Sequence, residues 1–473
     1  MNHQEIANQV LADIKNQNKV SALAHLSTLI DENAELGKLW GSLARLALSI
    51  GEIEIALTCA DNYLADDKND LSKCIQVASV YAETGRFEKA LALLSPFTKK
   101  VDNISLHHIL STIYSQIGDK DNALYHSRKA LMKNPLLGIT WLNLAALKRF
   151  TPNDKELETL RAMEERITGK DVQNDIPYWY AFGKALLDIG ESEAAFEKFA
   201  KGASLMQSQT NFNIASHKQM IDNIINVQTT DAFSALPDVL PTQGKGLIFI
   251  VGLPRSGTTL LQQLLTCHPE IDAGGESNNL AIAVAPVNRQ LVNDLSTISD
   301  KTWQEIAKEY QQLMRQRFPS NNHIIDKSFN INQHLGLLSY LYPAATFIHI
   351  NRKKAENAWS CFRTYFSQGI TWSNSIAEIK EYFECDQKLL THWKSFLSKR
   401  INEINYEDLI TDPKATLTKV CNAIGIEYDE AFTNFHMNPH PVQTASVGQV
   451  RGPLTRASIT MPEELLKHFN DFE

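Results

Sequence analysis

The segment GLIFIVGLPRSGTTLLQQLLTCHPE, residues 246–270, has the residue types and spacing of a phosphate-binding loop. An apolar run is followed by a turn containing Gly252 and Gly257, and then by leucines at helical spacing. A loop between a strand and a helix N-terminus directs backbone N–H groups and the positive end of the helix dipole at an anion. Thr258 stands where the GxxxxGK[ST] loop has its lysine. The segment therefore predicts an anion site that lacks the usual contact to β- and γ-phosphates.

A nucleotide kinase or NTPase is one interpretation of this loop. The stretch HIIDKS offers Asp326 as a magnesium-binding acid at the end of a strand, although only two isoleucines precede it directly. The missing lysine counts against this interpretation, which stays open as an alternative.

The string PRSGTTLL resembles the 5′-phosphosulfate loop of sulfotransferases, which use 3′-phosphoadenosine 5′-phosphosulfate (PAPS). A sulfuryl donor has one phosphate beside the sulfate, and in this family it needs no metal ion, so the resemblance accounts for the absent lysine. It implies that Arg255 places positive charge where the leaving phosphate gains negative charge. It also implies that the donor is held by backbone and hydroxyl groups of Ser256, Gly257, Thr258 and Thr259.

The stretch TFIHINRKKAENAWSCF predicts a strand that ends at Arg352 and a helix that contains Ser360. An arginine and a hydroxyl in these positions can hold one phosphate from two sides. The same spacing occurs in the 3′-phosphate motif of sulfotransferases, so the resemblance assigns both residues to the donor. Lys353 and Lys354 replace the proline or acidic residue of many relatives, and they either form a solvated face or reinforce the pocket.

The stretch IDAGGESNN resembles the GE segment of tyrosylprotein sulfotransferases and of bacterial relatives with tetratricopeptide repeats. The resemblance makes Glu276 the general base; a helix cap is the alternative. HIIDKSFNIN resembles the segment whose lysine lies beside the transferring sulfonate, which implies that role for Lys327; an ion pair with Asp326 is the alternative. His268, in CHPE, is expected to be a structural cap.

Two later segments extend the resemblance to about residues 244–455. YEDL implies that Tyr406 contacts the adenosine of the donor, although a tyrosine at a strand end also serves as packing. TASVGQVRGPLTRAS resembles the family's late loop; it implies that Ser446 reaches the phosphosulfate and that Gln449 and Arg451 close around the nucleotide. A disordered polar tail is the alternative.

The first half of the chain is internally repetitive. Gly51, Gly85 and Gly118 lie 34 and 33 residues apart, and Gly190 follows 72 residues later. Five residues after each glycine stands an alanine: Ala56, Ala90, Ala123 and Ala195. This pattern of helix, tight turn and closely packed second helix resembles the tetratricopeptide family over about the first 205 residues. The unit around Pro152 is irregular, with Leu157 in place of the alanine.

Composition limits the class of protein. The chain has 473 residues, 43% hydrophobic residues and a formal net charge of -8, which argue for two soluble domains and against a general nucleic-acid or membrane-surface binder. The N-terminus has no signal-peptide core, no apolar run has the length of a membrane helix, and the six cysteines have no metal-like spacing. We therefore expect a cytoplasmic protein with free thiols.

Together these patterns predict an α-helical tetratricopeptide-repeat superhelix followed by an α/β P-loop-like sulfotransferase domain with a central, mostly parallel sheet. The expected parts are a repeat domain over 1–209, a connecting helix and linker over 210–243, and a sulfotransferase domain over 244–473. The predicted reaction transfers a sulfuryl group from PAPS, without a metal, to an acceptor hydroxyl; a protein tyrosine recruited by the repeats is one candidate. An interaction scaffold with an inactive nucleotide-binding domain is another alternative. The predicted catalytic set is Glu276, Arg255, Lys327 and Ser446.

Overall fold

The computed structural model describes residues 2–16, 18–318, 323–367, 369–437 and 460–472. In this part of the chain, fourteen helices precede the first strand. They are α1 His3–Lys15, α2 Lys19–Asp31, α3 Leu39–Ser49, α4 Ile53–Ala65, α5 Leu71–Glu83, α6 Phe87–Leu94, α7 Ile104–Ile117, α8 Lys120–Lys133, α9 Gly138–Leu147, α10 Lys155–Met163, α11 Val172–Asp188, α12 Ser192–Gln209, α13 Ile214–Val227 and α14 Thr230–Ser234.

Helical hairpins with glycine at the turn make up much of the N-terminal region. The four repeat glycines have φ between 79° and 87°, a left-handed conformation that a side chain would strain. The four repeat alanines are fully buried between the paired helices. A helical region followed by an α/β domain is therefore confirmed, whereas its membership of the tetratricopeptide family stays a prediction.

A sheet of five parallel strands forms the centre of the second domain, in the order β2-β3-β1-β4-β5. Ile248 of the central strand pairs with Ile325 of β3 and with Thr346 of β4. Every residue of β1 is buried, as expected for a parallel strand covered on both faces. The strands are β1 Leu247–Val251, β2 Ile271–Gly275, β3 His323–Asp326, β4 Thr346–Asn351 and β5 Ile401–Asn405.

Eight helices accompany the sheet in the described residues of this domain. They are α15 Thr258–Leu265, α16 Asn279–Val284, α17 Asp300–Arg317, α18 Leu335–Leu341, α19 Lys354–Phe362, α20 Ile376–Leu397, α21 Tyr406–Thr411 and α22 Pro413–Ile424. Helix α21 begins directly after β5, so Tyr406 is a first-turn residue of that helix. None of the helices in the described ranges has both the length and the apolarity to cross a membrane.

The segment expected to connect the two domains contributes to the core of the second. Helix α13 packs against α20, and its residues Ile221 and Ile224 are buried in the same apolar cluster as Trp393. His217, also on α13, stacks on Tyr382 with ring centroids 4.6 Å apart. Residues 214–227 therefore belong structurally to the sheet domain.

The N-terminal helical region contacts the sheet domain at two places. Near its start, Lys19 bridges Glu52 and Glu309 of α17 at 2.7 and 2.5 Å. Near its end, the rings of Phe196 and Phe199 pack against Trp359 of α19. Because α19 also contains Ser360, the helical region supports an element of the candidate site.

Candidate functional site

The strand order brings the predicted site residues to one edge of the sheet. The phosphate loop follows β1, Glu276 follows β2, Lys327 follows β3 and Arg352 follows β4. These four strands are neighbours and parallel, so the residues after their carboxyl ends face the same crevice. These residues lie close together because their strands are neighbours in the sheet, although they are far apart in the sequence.

The shape of the phosphate loop requires its glycines. Gly257 caps α15 with φ 112°, and a Cβ there would lie 2.4 Å from the Tyr406 ring. A Cβ on Gly252 would lie 2.7 Å from Ser256 Oγ. Arg255 itself has a left-handed φ of 67°. A loop this tightly held against its neighbours directs its backbone groups into the crevice.

Side chains from β4 and α19 hold the loop. Arg352 Nη1 donates to the carbonyl oxygen of Arg255 at 2.9 Å, and Arg255 Nε donates to Ser360 Oγ at 3.1 Å. Asn357 Nδ2 donates to the carbonyl oxygen of Pro254 at 2.7 Å. The three residues predicted to contact the two ends of the donor thus lie together. Asn357 is an additional residue that the sequence patterns did not indicate.

Three guanidinium groups lie close enough to repel one another. Burial, and then repulsion from Arg352, lowers the pKa of Arg255 to about 10. Burial, and then repulsion from Arg255 and Arg352, lowers the pKa of Arg363 to about 10. An anion placed among these groups would relieve the repulsion. No sequence motif indicated Arg363, although its position three residues after Ser360 puts both on one side of α19.

The remaining loop residues and Tyr406 border the same region. Thr258 and Thr259 form the first turn of α15, and Ser256 is buried with no hydrogen-bond partner for its Oγ among the described residues. The guanidinium of Arg352 lies 4.7 Å from the centroid of the Tyr406 ring. This region therefore combines the Ser256 hydroxyl, which has no described hydrogen-bond partner, with the N–H groups of α15 and the face of the Tyr406 ring.

Glu276 and Lys327 form an ion pair, with Nζ and Oε1 2.6 Å apart. The Lys327 side chain is fully buried, whereas that of Glu276 is 23% exposed. Burial lowers the pKa of Lys327, and the attraction of Glu276 opposes this shift. Lys327 therefore pairs with Glu276. The alternative, an ion pair between Lys327 and Asp326, is not what the structure has. Helix α16 has Asn278 at its N-cap position, so Glu276 does not cap it.

Asp326 is a structural residue of the β3 end. Its Oδ2 accepts from the Tyr310 hydroxyl at 2.6 Å, and its Oδ1 accepts from the Ser328 backbone N–H at 2.8 Å. Ser328 Oγ lies 2.5 Å from Oδ1 and 2.7 Å from the carbonyl oxygen of Ser277. Both carboxylate oxygens are thus occupied, which counts against a magnesium-binding role. The serine also fixes the segment next to Glu276.

The residues around the ion pair enclose a cavity of about 290 Å³. Its lining includes Arg255, Glu276 and Lys327 from the sheet edge. Several aromatic side chains, among them Tyr365 and Trp372, also line it. Ile139, at the start of α9, reaches the same cavity from the helical region. The cavity thus joins the candidate donor site to a compartment with several aromatic side chains at the boundary of the two domains.

Other features lie away from this site or outside the described residues. A larger cavity of about 830 Å³ opens at the opposite edge of the sheet, beside Gly244 and α17. His268 precedes β2 at that opposite edge, where its Nδ1 accepts the backbone N–H of Glu270 at 3.2 Å. Lys353 and Lys354 are exposed. Ser446, Gln449 and Arg451 lie outside the described residues, so their roles stay predictions.

Parts of this chain are similar to known proteins. Residues 248–430, less than half of the chain, match the model of the sulfotransferase family. An uncharacterised protein of Aquifex aeolicus is 24% identical over 376 residues, which are 75% of this chain and 47% of that relative. Protein-tyrosine sulfotransferase 1 of Danio rerio is 22% identical over 204 residues, 39% of this chain and 54% of that relative.

One solved structure is also similar. The sulfotransferase domain of the Synechococcus PCC 7002 olefin synthase is 21% identical and covers 49% of this chain and 94% of that domain, with a TM-score of 0.31. The chain thus spans about half the length of the two curated relatives and most of the solved domain.

Proposed function

We propose that this protein transfers the sulfuryl group of PAPS to an acceptor hydroxyl, with the phenol of a tyrosine as the candidate acceptor. The observation that carries the proposal is the convergence of two charged sets on one crevice. Arg255, Arg352 and Ser360 meet at the phosphate loop, and the ion pair of Glu276 and Lys327 lies at the neighbouring strand ends. One set suits a nucleotide with two phosphate groups, and the other suits proton transfer beside a sulfonate.

The residues fit the donor. The helix N-terminus and the unmet Ser256 hydroxyl suit the single 5′-phosphate. Arg352 and Ser360 suit the 3′-phosphate, and the Tyr406 ring suits the adenosine. Three mutually repelling arginines favour an anionic ligand without requiring a metal ion. The predicted contacts of Ser446, Gln449 and Arg451 would complete the enclosure of the nucleotide.

The proposed reaction is an in-line displacement at sulfur. The acceptor oxygen forms a bond to sulfur while the bond between sulfur and the 5′-phosphate oxygen breaks, and the electron pair stays on the phosphate. The acceptor proton goes to Glu276, giving a sulfate ester and 3′,5′-ADP. A phenol has a pKa near 10 and a carboxylate one near 4.3, so the proton moves only as the bond to sulfur forms.

The side-chain contacts suit a reaction in which Glu276 accepts the proton and Lys327 and Arg255 stabilise negative charge. Lys327 Nζ contacts Oε1 of Glu276, and within the described residues Oε2 accepts no hydrogen bond, so it is open to receive the acceptor proton. The buried ammonium of Lys327 and the guanidinium of Arg255 line the same cavity and can offset charge on the sulfonate and the leaving oxygen.

Two observations favour an acceptor that carries a phenol. The compartment beside Glu276 is small and has several aromatic side chains in its lining, which suits a single ring better than an extended polycyclic compound. A relative is named protein-tyrosine sulfotransferase 1. In this proposal the helical hairpins are tetratricopeptide repeats that present a protein or peptide to the crevice.

A transfer assay with radiolabelled PAPS and a tyrosine peptide tests the proposal. We expect label in the peptide and formation of 3′,5′-ADP without added magnesium, and transfer slower by about a hundredfold or more with the Glu276→Gln variant. Hydrolysis of Mg-ATP without any transfer from PAPS would instead support the kinase or NTPase alternative. Binding of 3′,5′-ADP without turnover of any phenol would support the inactive scaffold.

A further inference from the structure

A second carboxyl group, that of Asp386 on α20, lines the cavity together with Glu276. Among the described residues, its carboxylate accepts one side-chain hydrogen bond, from Asn332 Nδ2 at 2.6 Å. None of the described lysines, arginines or histidines forms an ion pair with it. Asp386 is partly buried. A carboxylate shielded from water is normally paired with a cation or neutralised, because the loss of water penalises its charge. Asp386 therefore has capacity for a positively charged partner.

Burial raises the pKa of Asp386 to about 6, and the Asn332 hydrogen bond only partly opposes the shift. The group is thus mainly ionised at neutral pH, yet it is poorly compensated. A cationic ligand would stabilise the ionised carboxylate of Asp386, because none of the described residues places a cation against it.

The walls near Asp386 also suit a cation. Tyr382 is one turn before it on α20, and the rings of Tyr382 and Trp372 stack with centroids 4.1 Å apart. Tyr365 and Phe366 line the same cavity. Aromatic faces attract ammonium groups, and the attraction is larger where water is excluded.

The cavity is therefore divided by charge. Arg255 lies at the donor side, and Lys327 is already paired with Glu276. Asp386 provides negative charge among the aromatic side chains, outside that ion pair. A molecule that offers its hydroxyl to Glu276 can place a positive group against Asp386, whereas an anionic group there would meet a like charge in a partly buried position.

We propose that Asp386 is an acceptor-recognition residue and that it binds an ammonium group carried by a phenolic acceptor. This inference rests on the proposed sulfotransferase function and narrows its substrate class. In a peptide, the ammonium would be a free N-terminus or a lysine next to the acceptor tyrosine. The Asn332 contact holds Asp386 in place, and an asparagine at this position can keep that contact through its own side-chain oxygen.

Calorimetric titration of the full-length protein tests the inference without turnover. The protein is first saturated with 3′,5′-ADP and then titrated with tyramine or with 4-propylphenol, in which a methyl group replaces the ammonium. We expect tyramine to bind about tenfold more tightly or better, the range for a hydrogen bond to a charged group. Asp386→Asn should reduce this preference to less than about threefold.

A matched control separates recognition from general electrostatics. Glu384 is exposed on the same helix outside the cavity, and Glu384→Gln should leave the preference unchanged. Equal affinity for the two probes, a preference that survives Asp386→Asn, or binding of neither probe would overturn the inference while leaving the donor site intact. Failure of 3′,5′-ADP itself to bind would instead overturn the proposed function, and the inference with it.

Discussion

At the scale of single residues, Glu276 and its ion pair are central to the proposed reaction. Glu276→Gln keeps the size of the side chain and an oxygen that can accept from Lys327, but it removes the base. We expect the turnover number to fall by about a hundredfold or more, the usual contribution of a general base, with little change in the affinity for 3′,5′-ADP. Transfer assays and calorimetry on the same preparations check this.

The control for this variant is Glu270→Gln, which removes an exposed carboxyl at the opposite edge of the sheet. It should retain native turnover. Retained turnover in Glu276→Gln, or a comparable loss in both variants, would exclude Glu276 as the base.

Arg363 provides a second prediction at this scale. Arg363→Met keeps an extended side chain that can pack on Trp359 but removes one of the three clustered charges. We expect the dissociation constant for 3′,5′-ADP to rise by about fivefold to thirtyfold, because a partly buried charge near an anion contributes on the order of 1–2 kcal/mol. Calorimetry at low and high salt measures this, and the variant should show the weaker salt dependence. An unchanged affinity would place Arg363 outside the anion site.

At the scale of elements, the loop between β1 and α15 should depend on Gly257. An alanine there would meet the Tyr406 ring at 2.4 Å and would also have to adopt φ 112°. We expect Gly257→Ala to lose binding of 3′,5′-ADP at any practical concentration, since the loop must move to accept the methyl group. Thermal-shift titration with the nucleotide provides the measurement.

Gly190 offers a matched comparison, because its φ of 86° is also left-handed but a Cβ there would meet nothing within 4 Å. Gly190→Ala should cost on the order of 1–2 kcal/mol of stability through backbone strain and leave nucleotide binding unchanged. Similar nucleotide affinity in the two variants would show that the close approach to Tyr406 is not needed for binding.

Sequence patterns predicted the donor side of the site better than its surroundings. The loop, Arg352 and Ser360 belong to local motifs, so residue types and spacing were enough to predict them as site residues. The contact between Glu276 and Lys327 depends on β2 and β3 being neighbours, and 51 positions separate the two residues. Arg363, Asn357 and Asp386 belong to no motif, and only the packing of α19 and α20 brings them to the site. The sequence of α13 likewise did not predict its packing on the sheet domain, because it has the pattern of an ordinary amphipathic helix.

At the scale of the whole molecule, the helical region forms part of the wall of the acceptor compartment. Ile139→Trp enlarges the side chain that reaches the cavity from α9. We expect acceptor turnover to fall about tenfold or more, because displacement of the reacting groups by about an ångström is costly, while 3′,5′-ADP affinity stays native. Val20→Trp, at a position that is 81% exposed on α2, is the control and should change neither quantity. Native turnover in Ile139→Trp would remove the helical region from the acceptor site.

Acid should destabilise the folded protein before it protonates most carboxylates. Burial lowers the pKa of His349 from 6.5 to about 4. The unfolded chain therefore binds a proton between these values that the folded chain does not, so stability falls as pH decreases through this window. We expect His349 alone to contribute a loss of about 2 kcal/mol between pH 7 and pH 5.

Urea unfolding at the two pH values measures this loss. His349→Leu removes the titrating group, and its stability should fall less than that of the native protein over the same interval. An equal fall in both proteins would assign the acid sensitivity to other groups, such as His126, whose pKa burial also lowers to about 4.

The most direct test of the central claim is a thermal-shift titration with 3′,5′-ADP, beside 5′-AMP and Mg-ATP. A ligand that binds only the folded protein raises its melting temperature by mass action. We expect stabilisation by 3′,5′-ADP, little or none by the other two nucleotides, and loss of the effect in Arg352→Ala. Stabilisation by Mg-ATP with no response to 3′,5′-ADP would contradict the assignment of the crevice to PAPS.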